Sequence, residues 1–379
     1  MEERARRPAV GRGRTERRRP RVATLLLLVA GVPLLGLGTS TWSRVGEARQ
    51  AVADATNTER CARRAVALAT LDAALSDEMT WTAIDAVVRT VGIPPEYVVS
   101  MGQIDPGHQA AVTRSRVDDL TRELRLGRVA DRIATARRRD LDIAGVLAAY
   151  DEIGRLVEDP LHDELAEIAG GSSLRLGANF TPSARGLRAA IQLRSTVAEL
   201  MIGYFVSIFQ LRDVPSIEVA RLVRVRAAYD DALADLDQLV AGRTSSELGK
   251  AVRAVRADLE LRQLGVTVDG LVQSSLEHGV PATGEPLNLE TITRNVQGFI
   301  TVFQAATASS TTTERVLRGA TNQVLDLARD SRSTAAAEIR ASSELAAAMS
   351  IVSLLAVVVA SVLIIRPLRG LQALAEDLQ

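Results

Sequence analysis

The chain has 379 residues, of which 47% are hydrophobic, 24% charged and only 3% aromatic. A chain of this length and composition can bury a large core, and its abundance of alanine, leucine and arginine favours helices. Its single cysteine, Cys61, excludes an intrachain disulfide. We expect Cys61 to be a small buried residue, with a cross-link between two copies of the chain as the alternative.

The formal net charge is zero, but the charge is unevenly distributed. Positions 1–21 carry nine arginines and three glutamates, so they are locally basic while the remainder is acidic. This pattern is typical of a disordered cytoplasmic tail that obeys the positive-inside rule. We expect no nucleic-acid partner, because no aromatic residue or folded platform accompanies the arginines.

Two uncharged runs are long enough to cross a bilayer: positions 22–42, which end at Trp42, and positions 345–365. A cleaved signal peptide is the alternative for the first run, although we prefer an uncleaved anchor. Arginines precede the first run, and Arg366 and Arg369 follow the second. We therefore predict a two-pass protein of the cell membrane, with both termini in the cytoplasm and residues 43–344 outside it.

Between the two runs, apolar residues return every three or four positions, and no stretch alternates cleanly enough for a strand. The predicted fold is all-α, a long-helix bundle of one long or two stacked four-helix units, with a sub-boundary near 170–180. The apolar run 197–211 carries Glu199 and is interpreted as a core helix, not a third span. The predicted helices are 43–90, 110–139, 140–157, 159–168, 181–211, 216–240, 244–264 with an extension to 276, and 289 into the second span.

Several helix ends are predicted from local signals. Asp159-Pro160 and Thr181-Pro182 are typical of helix starts, since proline is favoured in the first turn. Thr244 and Glu247 have the spacing of a capping box. Gly265 and Gly270 predict a break in the helix that follows.

The end of the chain, 366–379, begins Arg-Pro-Leu-Arg and continues into a short heptad pattern. A span followed by this sequence resembles the entry into a HAMP linker, the coiled-coil element of membrane receptors. The resemblance implies that only the first HAMP helix is present and that an output module lies beyond Gln379 or has been lost. The residues that it implies in signal transmission are Pro367, Leu368, Leu371, Ala375 and Leu378.

Residues 68–88, LATLDAALSDEMTWTAIDAVV, resemble the first helix of nitrate and nitrite sensing domains, which are all-helical bundles between two spans. Tyr150 in LAAYDEIGRLV and the long segment 186–211 follow in the same order. That family has arginine and glycine after an acidic residue, whereas here Met79 and Thr80 follow Glu78. The resemblance implies a small extracytoplasmic ligand, such as an anion.

An oxyanion is held by arginine forks or helix N-termini. We predict Arg188 and Arg194 as ligand-binding residues, because they lie on the most apolar predicted helix, where a charge is costly. Arg185 and Arg89 are further candidates.

The three histidines lack metal-ligand spacing, and no phosphate loop or catalytic triad is convincing. We expect no enzyme, no metal and no cofactor. The predicted function is the input module of a homodimeric transmembrane receptor that binds a small ligand. The alternative is a non-sensing membrane protein whose helical ectodomain binds a protein partner.

Overall fold

The structure is a computed structural model that describes the backbone of residues 19–91, 105–138, 141, 143–170, 174–208, 217–241, 246–278 and 296–376. Side chains are described mainly over residues 41–91, 105–170, 180–203, 219–272 and 304–362. Most of the predicted tail, residues 1–18, lies outside the described residues, as do Thr244 and Leu378.

The described part of the chain is all-α, as predicted, with nine helices and no strand within those ranges. The helices are α1 (Arg19–Val91), α2 (Pro106–Leu124), α3 (Gly127–Arg138), α4 (Ile143–Ala169), α5 (Leu174–Ile208), α6 (Ile217–Val240), α7 (Glu247–Ala257), α8 (Leu259–His278) and α9 (Val296–Glu376).

The chain divides into two compact units, one comprising Met1–Ala53 with Ser333–Gln379 and the other Asp54–Arg332. In the second unit, α1 is the central helix. Most of its residues between 61 and 88 are buried, and they lie on several sides of the helix and not on one face only. Its many alanines let neighbouring helices approach closely on several sides. Polar residues on this stretch of α1 are therefore buried too.

The predicted helix 110–139 is interrupted, so that prediction was wrong in its continuity. Arg125 adopts a left-handed conformation with φ 56°, and its backbone N–H bonds back to the last turn of α2. Leu126 N–H donates to the Thr121 carbonyl at 3.2 Å, which closes the end of the helix. The helix end could not be predicted from an arginine, because glycine is the usual residue in this left-handed conformation.

Two predicted starts at proline were also wrong, because the helices run through them. Pro160 lies inside α4 and Pro182 inside α5. In α4 the buried residues Val157, Leu161 and Leu165 continue one stripe across Pro160. Tertiary packing of this stripe outweighs the single backbone hydrogen bond that proline removes.

The ends of α7 and α8 differ from the prediction as well. Ser246 caps α7 by accepting from Gly249 N–H at 3.0 Å. The predicted continuous helix is broken at Asp258, whose side chain caps α8 by accepting from Glu260 N–H and Leu261 N–H. Helix α8 then passes Gly265 and Gly270 without interruption. Asp258 was the sequence signal for this break, because aspartate is favoured at helix N-caps, and the prediction did not use it.

Candidate functional site

A fully buried carboxylate, Glu78, lies on α1 in the middle of the helical unit. Arg137 on α3 grips it with a fork: Nε donates to Oε1 at 2.6 Å and Nη2 donates to Oε2 at 2.8 Å. The Tyr150 hydroxyl on α4 donates to Oε1 at 2.6 Å. Glu78 is therefore charge-paired and hydrogen-bonded, the condition under which a buried carboxylate is tolerated.

Arg137 also joins α2 to this cluster. Its Nη1 donates to Asp118 at 2.7 Å, and its Nη2 donates to the Arg114 carbonyl at 3.2 Å. Burial acts to lower the pKa of Arg137, but the hydrogen bonds and charges of Glu78 and Asp118 raise it above its ordinary value. One guanidinium thus connects α1, α2 and α3, and Tyr150 adds α4.

Tyr150 is also held in its neutral form. Burial, and after it the negative charge of Glu78, raises the pKa of the Tyr150 hydroxyl. The hydroxyl therefore remains a hydrogen-bond donor at physiological pH, as its bond to Glu78 requires. We call Glu78, Arg137 and Tyr150 the Glu78 cluster.

A cavity of about 480 Å³ borders this cluster. Among the described residues, four guanidinium groups and one carboxylate line it, so this part of its lining carries more positive than negative groups. We call it the arginine cavity, and its polar lining includes Asp85, Arg89, Arg114, Arg137, Arg138 and Tyr150. A water-accessible space with this excess of arginine favours an anion.

The arginines of the cavity differ in how many hydrogen bonds and ion pairs their guanidinium groups already make with neighbouring residues. Arg89 Nε lies 3.2 Å from Asp85, and Arg138 Nε donates to the Ala134 carbonyl at 3.0 Å. Arg114 Nε is buried but finds no hydrogen-bond partner among the described residues, and it lies 3.9 Å from Glu78 Oε1. A buried donor without an acceptor costs about 1–3 kcal/mol, so an added acceptor here is favourable.

Comparisons of the chain with protein-family models, with curated protein sequences and with solved structures found no match.

The structure does not bring the four predicted ligand-binding arginines together. Arg89 lines the arginine cavity. Arg185 and Arg188 are exposed on α5, and the guanidinium of Arg188 hydrogen-bonds the imidazole of His162. Ligand binding by Arg185 and Arg188 stays a prediction, although neither lines the arginine cavity.

Arg194 is buried, as its apolar helix predicted, and is paired with an acid. Its Nη2 donates to Asp77 at 2.6 Å, and burial, opposed by Arg194, raises the pKa of Asp77. The cavity beside this pair measures about 20 Å³, room for one water. The geometry favours a structural ion pair, and a ligand-binding role for Arg194 stays a prediction.

Sequence reasoning missed Arg114, Arg137 and Arg138 as site residues. Arginine is so abundant in this chain that neither their type nor their spacing distinguished them from solvated surface residues. Glu78 offered a better signal, because it lies between the apolar residues Leu75 and Ile84 on a helix that is buried almost all round. A charge at such a position requires a partner.

A thiol and two carboxylates form the group that comes nearest to a metal site among the described residues. The side chains of Cys61, Glu164 and Glu167 lie within 4.8 Å of one another. Burial, and then Glu164, raises the pKa of Cys61 to about 12, so the thiol is protonated. Arg64 lies 3.1 Å from Glu164, and Asn57 donates to Glu167 at 2.5 Å. Because these groups already satisfy one another, we assign no metal to them.

One helical segment in the part of the chain that the structure describes can cross a membrane by length and composition: Ala308–Ala356, within α9. None of its most apolar window is buried. Ile351, Leu354 and Leu355 are each more than half exposed. The predicted span 345–365 shares residues with this segment. In the predicted span 22–42, the side chains of residues 22–40 lie outside the described residues. The two-pass topology stays a prediction.

The residues predicted to transmit a signal lie at the end of α9. The helical backbone continues past Pro367, Leu368, Leu371 and Ala375 to Glu376. Leu378 lies outside the described residues. A continuous helix from the apolar segment to Glu376 is compatible with a rigid connection, and the heptad role of these side chains stays a prediction.

Proposed function

We propose that this chain is the membrane-anchored input module of a receptor and that its helical unit binds a small anion in the arginine cavity. The observation that carries the proposal is the arginine-rich lining, in which Asp85 is the one carboxylate among the described residues. Guanidinium forks match the geometry of nitrate, nitrite and carboxylates. At about 480 Å³, the cavity has the size of a small-molecule site.

Arg114 is the residue best placed to bind the anion. Its Nε is buried and has no hydrogen-bond acceptor among the described residues, while 39% of its side-chain surface is exposed to solvent. Arg137, by contrast, is committed to Glu78 and Asp118 and contributes mainly charge. An anion bound by Arg114 would thus lie beside the contacts that join α1, α2, α3 and α4.

The bound anion can signal only through a difference in its affinity for two packings of the helices. We propose that the module is a two-pass homodimer whose ligand site lies outside the cell. Helix α1 carries part of the cavity, and α9 carries the apolar segment and the HAMP-like helix beyond it. A coupling free energy of about 1–3 kcal/mol is typical of allosteric coupling between two sites.

The test is the melting temperature of the full-length chain in lipid nanodiscs, with nitrate, nitrite or acetate replacing chloride at constant ionic strength. At 100 times its Kd, a ligand stabilises the folded state by about 2.7 kcal/mol. This corresponds to a shift of roughly 4–5 °C for a unit of this size.

Arg114→Gln should abolish the shift, because it removes the guanidinium without changing the backbone carbonyl that Arg137 uses. The matched control is Arg122→Gln, which removes an exposed arginine of the same helix outside the cavity and should keep the shift. If no anion raises the melting temperature of the wild type, or if Arg114→Gln keeps the shift, the arginine cavity is not the site.

A further inference from the structure

A second cavity, of about 660 Å³, lies between α1, α4, α5 and α6. Among the described residues its lining has four carboxylates, three guanidinium groups, three aliphatic hydroxyls and the phenol of Tyr150, so acids outnumber arginines here. We call it the acceptor cavity. Tyr150 lines both cavities, but no arginine is shared between them.

Asp72 is the most distinctive residue of the acceptor cavity. Its side chain is only 7% exposed, yet its carboxylate has no hydrogen bond or ion pair with any described residue. Burial, and then the charge of Glu158, raises the pKa of Asp72 to about 7, against a weaker opposing effect of Arg194. A buried carboxylate in this state is stabilised by any cation that reaches it.

The hydroxyls of the cavity add further acceptors. Ser76 donates its proton to the Asp72 carbonyl at 3.1 Å, and Thr196 donates to the Gln192 carbonyl at 2.8 Å. Ser195 donates to the same Gln192 carbonyl at 3.1 Å. A hydroxyl has one proton and two lone pairs, so each of these side chains retains acceptor capacity only.

The arginines that line the cavity contact groups other than Asp72: Arg155 Nε donates to the Asp151 carbonyl at 3.2 Å, and Arg224 Nε donates to the Ala220 carbonyl at 3.4 Å. Arg221 is engaged by Glu199 at 3.2 Å and by Asp151 at 3.7 Å. Burial raises the pKa of Glu199 as well, and Arg221 opposes this effect. The titratable and charged groups around the cavity are, on α4, Tyr150, Asp151, Arg155 and Glu158; on α5, Arg194 and Glu199; and on α6, Arg221 and Arg224.

We propose that the acceptor cavity binds a small organic compound through a primary ammonium group, which donates to the Asp72 carboxylate and to the cavity hydroxyls. Three N–H donors match a site that offers a carboxylate and several lone pairs. Leu75, Met79 and Val225 line the same cavity and provide an apolar surface for the organic part of the ligand. This site is separate from the proposed anion site and does not depend on it.

The test is a calorimetric titration of the full-length chain in nanodiscs with ethylammonium at pH 8. Asp72→Asn should weaken binding at least tenfold, whereas Asp163→Asn, an exposed acid of α4 outside the cavity, should leave it unchanged. Tetramethylammonium, which has no N–H donor, should bind at least tenfold more weakly than ethylammonium, and so should potassium.

The pH dependence provides a second measurement. The ammonium group and the proton compete for Asp72, so affinity should fall about tenfold per pH unit below pH 7 in the wild type and stay flat in Asp72→Asn. The proposal is overturned if ethylammonium does not bind the wild type, if Asp72→Asn binds it equally well, or if tetramethylammonium or potassium binds as tightly. Arg114→Gln should retain ethylammonium binding, which separates this result from that of the anion test.

Discussion

Two carboxylates on α1, Glu78 and Asp72, lie six residues apart on the same buried stretch. Of the two, Glu78 alone is paired with an opposite charge among the described residues. Glu78 has no exposed surface and is satisfied by the Arg137 fork and the Tyr150 hydroxyl. Asp72 is nearly as buried but has no partner among the described residues, and its pKa is raised. The comparison indicates that Glu78 contributes to the architecture, whereas Asp72 is available to a ligand.

The largest effect is expected when the charge of the satisfied carboxylate is removed. Glu78→Gln leaves the Arg137 guanidinium partly buried beside a neutral amide, which costs about 3–5 kcal/mol of unfolding free energy. Urea denaturation followed by circular dichroism measures it, with the exposed Glu123→Gln as the control. A loss under 1 kcal/mol would show that the Glu78 cluster is not what joins these helices.

Removing the charge of the unsatisfied carboxylate, Asp72, should raise the unfolding free energy instead of lowering it. Between pH 4 and 7 the unfolded Asp72, with an ordinary pKa near 3.8, releases its proton while the folded state keeps it. The unfolding free energy therefore falls as pH rises through this window, by up to about 4 kcal/mol at 1.36 kcal/mol per pKa unit.

Asp72→Asn removes this penalty. It should stabilise the protein by about 2–4 kcal/mol at pH 8 and change it little at pH 4. Denaturation curves of the variant and the wild type at both pH values measure the difference. Destabilisation at pH 8 would mean that Asp72 has a partner that the contacts above do not include.

A smaller effect is expected at the hydroxyl between the two cavities. Tyr150→Phe removes one hydrogen bond to Glu78 and leaves the ring in place, at a cost of about 1–3 kcal/mol. Because the hydroxyl stays protonated in the wild type, the loss should be the same at pH 6 and pH 8. A loss that grows with pH would indicate that Tyr150 ionises in the folded protein.

Much of the helical architecture could be predicted from the sequence, because apolar periodicity persists across most of the chain. The helix ends could not be predicted as well: α4 passes Pro160 and α5 passes Pro182, where packing outweighs local signals. The break at Arg125 depends on a left-handed backbone conformation, which an arginine in the sequence does not predict.

The residues that line the arginine cavity could not be predicted as a set, and anion binding stays a prediction. An anion and arginine were expected, and Arg89 alone of the predicted arginines lines the arginine cavity. Arg114, Arg137 and Arg138 come from α2 and α3, whose placement beside α1 depends on long-range packing that spacing cannot reveal. Asp72 was not singled out, since its missing partner is a property of the folded chain.

The two sites are tested most directly by a crossed titration of wild type, Arg114→Gln and Asp72→Asn in nanodiscs, each with nitrate and with ethylammonium at pH 8. Arg114→Gln should lose nitrate binding and keep ethylammonium binding, and Asp72→Asn should show the reverse. If the wild type binds neither ligand, or if each variant changes both affinities equally, the assignment of one anion site and one ammonium site on the two sides of Tyr150 is wrong.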